Sequence, residues 1–392
     1  MLVVSDLRID PRVERAARAL VGRGFRLTII FPDLTPAPFS EKPVNWGPNV
    51  MFKPAPSGAA SFQLTFPWLL SDELLALAVE EKAFAYHCHD LNTALVGLAA
   101  SRRTGARLVC DFHEWFSENV SWNLRRKCYV PHPLLKRAVY KWAERLMLRQ
   151  ADAVITVNQS IARELEAMVG APCGRVDVVR NIPPLAAKPT RAYPPLKAQL
   201  GVAQNRFVVL YQGGTGPTRL LEPVIEALSM APKVTFVIRG PSLDLFGVGY
   251  RALAERVGVQ DRLILADPVP SRDVVAAARG ADAGLWTLPN LSRNFYLALP
   301  NKVFEYLAAG LPLLVANFPE ATRIAKGVGL TFDPYDPNSI AAQMNRLAED
   351  PTLAARCRAA VPGVLASLDA TTEWNRLAGI YERFRPRGEN CR

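Results

Sequence analysis

The 392-residue chain lacks the elements that mark several common function classes. Cysteine is scarce: Cys88, Cys110, Cys128, Cys173, Cys357 and Cys391 form no CxxC pair and no regular framework. A disulfide scaffold and a structural zinc module are set aside, and a reducing compartment is expected. Histidine is scarcer still, with His87, His89, His113 and His132 all in the first half. No apolar run approaches the length of a membrane span, and no charged segment precedes an apolar core at the start, so a cytoplasmic protein is expected. No repeat of solenoid period occurs. GxGxxG and the Walker GK[ST] are both absent, which removes support from nicotinamide dehydrogenases and nucleoside triphosphatases.

Apolar residues make up 49% of the chain and charged residues 21%, the balance of a globular protein. The length exceeds one compact core and suits two α/β domains. Apolar runs alternate with helical patterns from the start. MLVV precedes a helix at about 11–23 and the run RLTIIF; helices follow at 72–82 and 91–103, with FAYHC before the second and RLVCDF after it. DAVITV and RVDVVR complete this half. Residues 182–196 hold five prolines and no periodicity, which reads as a linker. The alternation restarts with RFVVLY, KVTFVI, RLILAD, ADAGLW and LPLLVAN, with helices expected at 218–230, 249–257, 271–279 and 338–348. This pattern implies parallel sheets covered on both faces. The expected architecture is two doubly wound, Rossmann-like domains facing across a cleft, at 1–185 and 186–369. Ligands in such sheets bind at the carboxyl ends of the strands.

Between ADAGLW and LPLLVAN lies LPNKVFEYLAAGLP, residues 299–312. Pro300 and Asn301 suit a helix start and Gly310 a helix stop, so Lys302 falls in the first turn. A lysine there opposes the helix dipole unless an anion sits at the helix mouth. Glu305 follows one turn deeper on the same face. Spacing alone leaves open an ordinary ion pair or a phosphate clamp with a carboxylate for a sugar diol. Tyr211–Gly214, YQGG, ends a strand, and its glycines would let backbone amides approach a phosphate beside Arg219. His87 and Cys88 alternate across a strand with no further ligand pair at metal spacing, so no metal site is expected. His113, in CDFHE, follows the carboxyl end of a buried strand.

The net charge of +11 is concentrated. Residues 121–150 carry Arg125, Arg126, Lys127, Lys136, Arg137, Lys141, Arg145 and Arg149 against the single acid Glu144. Arg137, Lys141, Arg145 and Arg149 recur every four residues beside Leu135, Val139, Trp142 and Leu146, an amphipathic helix with a cationic stripe. Such a stripe is a solvated face over the core or a dock for an anionic membrane. Nucleic acid is not expected, because no recognition motif accompanies the charge.

Several segments agree with one family. DPRVERAARAL (10–20), HDLNT (89–93), CDFHE (110–114), VVRNIP (178–183), LYQGG (210–214) with Arg219, and LPNKVFEYLAAGLPLL resemble the retaining glycosyltransferases of family 4 (glycosyl transferases group 1), which have the GT-B fold. The resemblance covers essentially the whole chain. It implies transfer of a sugar from a UDP- or GDP-linked nucleotide-sugar co-substrate to a glycan or lipid-linked acceptor, without a metal or other cofactor. A role in cell-surface polysaccharide or glycoconjugate synthesis and a peripheral place on the inner face of the cell membrane go with that reading. It implies that Arg219 and Lys302 hold the diphosphate with backbone at Gly213 and Gly214, that Glu305 takes the ribose, and that His113 faces the donor sugar. It also implies that the segment 370–392 crosses back onto the first domain. Two positions depart from the family. Leu297 stands where a glutamate contacts the donor sugar, and Gly214 where many members have arginine. Asn290, Asn294, Tyr296 and Asn301 are candidate substitutes. These departures keep open a non-catalytic GT-B subunit that binds a nucleotide sugar, or a sugar-nucleotide epimerase.

Overall fold

A computed structural model of the chain describes residues 1–8, 10–33, 44–55, 71–183, 185 and 188–384. Two compact units emerge. One comprises Met1–Ser121, Pro131–Asn181 and Thr371–Arg392, the other Trp122–Val130 and Ile182–Ala370.

The first unit is built on parallel strands: β1 (Leu27–Pro32), β2 (Val50–Ala55), β3 (Ala85–His89) and β4 (Arg107–Phe112). Next in the chain comes a short two-stranded ribbon, β5 (Val120–Asn123) with β6 (Cys128–Pro131), whose Trp122–Val130 stretch belongs to the second unit; β7 (Ala153–Thr156) and β8 (Val176–Val178) then complete the first. β1 pairs with β2, and β3-β4-β7-β8 form a four-stranded sheet. MLVV, expected as a strand, contributes a bridge at Leu2 that joins the two groups by pairing with Ile30 and Cys88. Leu2 donates to the His87 carbonyl at 2.8 Å and accepts from His89 N at 3.0 Å, so one residue ties β1 to β3. The helix Pro11–Val21 is capped by Asp10, whose carboxylate accepts from Arg12 N and Val13 N. The helix Ala370–Glu382 packs within this unit: Leu377, Ile380 and Tyr381 share a core with Val109, Ile155 and Val179. Its buried Glu373 accepts from Arg180 N at 2.8 Å and from Arg180 Nη2 at 2.7 Å. The rest of the expected C-terminal segment, 385–392, lies outside the described residues.

In the second unit, β9 (Phe207–Gln212), β10 (Val234–Arg239), β11 (Leu263–Ala266), β12 (Ala283–Trp286), β13 (Leu313–Ala316) and β14 (Gly329–Phe332) form one parallel sheet ordered β11-β10-β9-β12-β13-β14. The chain winds outward from β9 to β11, then restarts at β12 on the other side of β9. The order therefore reverses between β9 and β12, and that switch point opens a crevice at the strands' carboxyl ends. These strands are mostly apolar because helices cover both faces; β9, β10 and β12 contribute Val209, Leu210, Phe236, Ile238 and Leu285 to one core.

Three expectations change. The proline-rich stretch is anchored rather than free: Ile182 and Leu196 are fully buried in the second unit's core, and Thr190 N and Tyr193 Oη bond Asp273 at 2.7 and 2.9 Å. Pro184, Ala186 and Ala187 of that stretch lie outside the described residues. The helix expected at 218–230 runs only from Glu222 to Ala227, because Leu220 has a left-handed backbone (φ 51°) and breaks the turn before it. The helix expected at 249–257 begins earlier, at Leu243.

Candidate functional site

The helix Asn301–Ala308 leaves the carboxyl end of the β12 segment and brings Lys302 back over the end of β9. Lys302 reaches Gly213 so closely that a Cβ there would lie 2.1 Å from its Cε, and Gly213 also has φ 139°. Only glycine fits both demands. The neighbouring strand makes a second such contact: a Cβ on Gly240, just past β10, would lie 1.9 Å from the Gly213 carbonyl oxygen. Gly213 N donates to the Arg239 carbonyl at 2.8 Å, which fixes the loop. Tyr306, one turn past Lys302 and fully buried, accepts the Gln212 N–H at 2.8 Å, so the same helix also holds the last residue of β9.

A cavity of about 370 Å³ opens here, lined among others by Gln212, Gly213, Arg239, Gly240, Asn301, Lys302 and Glu305. Burial first, and the Arg219 guanidinium second, push the Lys302 ammonium down to about 8, while Glu305 acts in the opposite direction. Two cations crowd this corner at the positive end of a helix, an arrangement that an anion would relieve. Arg219 lies in the turn before its helix, beside Gly214, and its Nη1 donates to the Thr218 carbonyl and hydroxyl, both at 3.1 Å. Its buried Nε has no hydrogen-bond partner among the described residues. The Gly214 carbonyl accepts from Tyr211 Oη at 2.6 Å, and a Cβ on Gly214 would lie 4.0 Å from Arg219 Nε and Nη2.

Thus Gly213, Lys302, Glu305 and Asn301 line one cavity, whereas Gly214, Arg219, Asn294 and Tyr296 do not. Asn294 is buried in the short helix Arg293–Tyr296, and the Tyr296 ring packs on Phe318 with centroids 5.2 Å apart. Leu297 is buried, 3% exposed. Sequence reasoning missed Arg239, Gly240 and Tyr306. The glycine at the carboxyl end of β10 was the one local signal, while the roles of Arg239 and Tyr306 depend on partners far away in the chain.

His113 belongs to the first unit, where it heads a buried polar cluster. Asp90 takes the His113 N–H at 2.8 Å and sits 3.3 Å from its Nδ1. On the other side His113 Nε2 meets His89 Nδ1 at 3.1 Å and Asp111 Oδ2 at 3.5 Å. Burial alone would lower the His113 pKa, but Asp90 and Asp111 outweigh it and raise it. Asp111 is held well below the usual carboxylate range despite burial, chiefly by Arg12, which reaches it at 2.5 Å. Burial pushes His87 and His89 down, and His87 Nδ1 pairs with Tyr381 Oη at 2.6 Å. His87, His89 and Asp111 bring ligating atoms within 4.8 Å of one another, yet the Arg12 guanidinium already occupies the carboxylate and would oppose a cation.

The cationic helix, Leu134–Gln150, buries Tyr140, Ala143, Met147 and Leu148, while Leu135 and Trp142 of the apolar face named from the sequence are exposed. Of the stripe, Arg137 and Lys141 both bond Glu118, at 2.6 and 2.8 Å, and Arg145 and Arg149 are exposed. No helix among the described residues is long and apolar enough to cross a membrane.

A sequence model of the glycosyl transferase 4-like domain matches residues 9–181, and one of the glycosyl transferases group 1 matches residues 208–350. The chain thus carries a glycosyl transferase 4-like domain followed by a glycosyl transferases group 1 domain. Among its relatives are the D-inositol 3-phosphate glycosyltransferases of Acidothermus cellulolyticus, 29% identical over 75% of this chain and 66% of that one, and of Nocardia farcinica, 28% identical over 52% and 50%. The alignments thus span between half and two thirds of these relatives' own lengths. Solved structures confirm the fold as GT-B. Sucrose-phosphate synthase from Thermosynechococcus elongatus superposes with a TM-score of 0.72, 16% identity, and coverage of 95% of this chain and 92% of that one. HepE from Anabaena, in complex with UDP, gives 0.71 with 17% identity and coverage of 97% and 99%.

Proposed function

We propose that the chain transfers a glycosyl group from a UDP- or GDP-linked sugar to a hydroxyl of a glycan or lipid-linked acceptor, with retention of configuration. The observation that carries this reading is the Lys302–Gly213 contact in a cavity at the sheet's switch point, with a second cation, Arg219, close by. HepE, which shares the fold, was solved with UDP and with UDP-glucose, and the relatives are named as glycosyltransferases.

In this reading the diphosphate lies against the Gly213–Gly214 backbone, beside the Lys302 side chain that fills the space over Gly213. Lys302 binds it as a point charge, and the orphaned Nε of Arg219 gives it a further donor. Glu305, one turn deeper, accepts from the ribose hydroxyls. As the bond from the anomeric carbon to the phosphate oxygen breaks, negative charge grows on the leaving diphosphate, where the two cations stabilise it. The acceptor oxygen attacks on the face that the diphosphate leaves, and its proton passes to the departing phosphate oxygen. No protein nucleophile and no metal takes part, and His113 serves the donor sugar.

Isothermal titration with UDP-, GDP- and ADP-sugars tests the site. Saturable binding of one donor should be lost in Lys302→Ala and in Arg219→Ala, and affinity unchanged in both would sink the assignment. One observation favours a second reading, a non-catalytic nucleotide-sugar-binding subunit. Leu297 is buried, and both ring nitrogens of His113 already face internal partners. Donor binding without transfer to any acceptor, together with activation of a companion enzyme, would decide for it.

A further inference from the structure

The β5–β6 ribbon has no counterpart in the sequence reading, and its surface is unusual. Its turn, Leu124–Lys127, places Arg125, Arg126 and Lys127 together, all exposed, and no acidic residue lies between Val120 and Pro131. The turn is built rather than loose: Asn123 Oδ1 accepts from Arg125 N at 3.0 Å and from Arg126 N at 2.9 Å. Beside the cations stands Leu124, 82% exposed. Trp122 and Tyr129, 46% and 38% exposed, pack edge to face with ring centroids 5.1 Å apart. Two aromatic rings and a leucine in water beside three cations gain little from solvent.

Aromatic rings with a polar edge settle at the headgroup level of a bilayer, and each basic residue near an anionic surface gains about a fivefold preference. A nucleic acid would satisfy the cations but leave Leu124 without a partner. We propose that this ribbon docks the chain on an anionic bilayer, with Leu124 and the Trp122–Tyr129 pair entering the interface and Arg125, Arg126 and Lys127 meeting lipid phosphates. This moves the membrane contact expected from the sequence off the helical stripe, where Arg137 and Lys141 are neutralised by Glu118. The inference goes beyond the transferase reading and stands without it.

Flotation of the full chain with vesicles of phosphatidylcholine, with and without phosphatidylglycerol, tests it. The chain should float with anionic vesicles only and be released by salt. Combining Arg125→Glu, Arg126→Glu and Lys127→Glu should lower the partition coefficient about a hundredfold or more. Combining Trp122→Ser with Leu124→Ser should lower it about tenfold or more at fixed charge. Both variants should melt at the wild-type temperature, since every changed residue is exposed. If one does not, Leu124→Ser alone carries the same expectation. Three results would overturn the proposal: equal flotation with neutral vesicles, undiminished binding after reversal of the ribbon charges, or loss of binding only in Arg145→Glu with Arg149→Glu. Binding of duplex DNA through the same cations, with no vesicle binding, would assign the ribbon to nucleic acid instead.

Discussion

Lys302→Met separates the cost of the proposed phosphate site from its use. The side chain keeps its length and loses its charge, so the contact over Gly213 survives. Burial and Arg219 hold the ammonium at about 8 rather than 10.5. At about 1.4 kcal/mol per pH unit, the folded chain bears at most about 3 kcal/mol for keeping that charge in place. Below pH 8 both folded and unfolded chains hold the proton, and the cost is present in full. Between pH 8 and 10.5 the folded chain releases it first, so stability rises with pH in that window. Lys302→Met should therefore stabilise the ligand-free chain at pH 7 by up to about 3 kcal/mol, read as a higher urea midpoint, while weakening donor binding by tenfold or more. The pH profiles give an independent check. Donor affinity of the wild type should be level below pH 8 and about tenfold weaker by pH 9, and the variant should show no such fall. Calorimetry and urea denaturation on the same samples read both effects. A variant less stable than the wild type, with donor affinity unchanged, would refute the reasoning.

Other groups give equally definite outcomes. Glu144 is buried and pushed up to about 7, chiefly by burial, although its Oε1 accepts from Ser117 N at 2.9 Å. Between pH 4.5 and 7 the folded chain keeps a proton that the unfolded chain has lost, so Glu144→Gln should stabilise by up to about 3 kcal/mol at pH 8 and little at pH 4.5, read by thermal melting. Asp111→Asn strands the buried Arg12 and should cost about 3–5 kcal/mol in urea at neutral pH. The wild-type share of that stability is present above the ordinary aspartate pKa and lost as pH falls below it. Tyr306→Phe leaves the Gln212 N–H without its acceptor and should cost about 1–3 kcal/mol; a change within a few tenths would show that the contact does not hold the end of β9.

Much of the architecture was legible because it rests on local rules. Apolar runs at strand length, helix periodicity between them and glycine at helix ends depend on neighbours a few residues away. Lys302 and Glu305 could be singled out for the same reason, since a charge in the first helical turn is anomalous in isolation. What stayed hidden depends on partners distant in sequence. Periodicity gave the helix 134–150 two faces but not the neighbour that chooses between them; in the fold Leu135 and Trp142 are exposed. Nor did spacing show that Glu144 is buried together with Tyr140, Ala143 and Met147.

By itself, then, the sequence determined the fold class, two α/β domains with parallel sheets, and the segments that mark the glycosyltransferase family. Only the tertiary structure decided that Tyr306 meets Gln212, that Gly240 packs on Gly213, and that Arg12, Asp111 and the histidines share one buried cluster. Spacing along a chain sets which side chains can share a face. Burial, pairing and charge state are set by whatever surface packs against that face, and that surface comes from elsewhere in the chain.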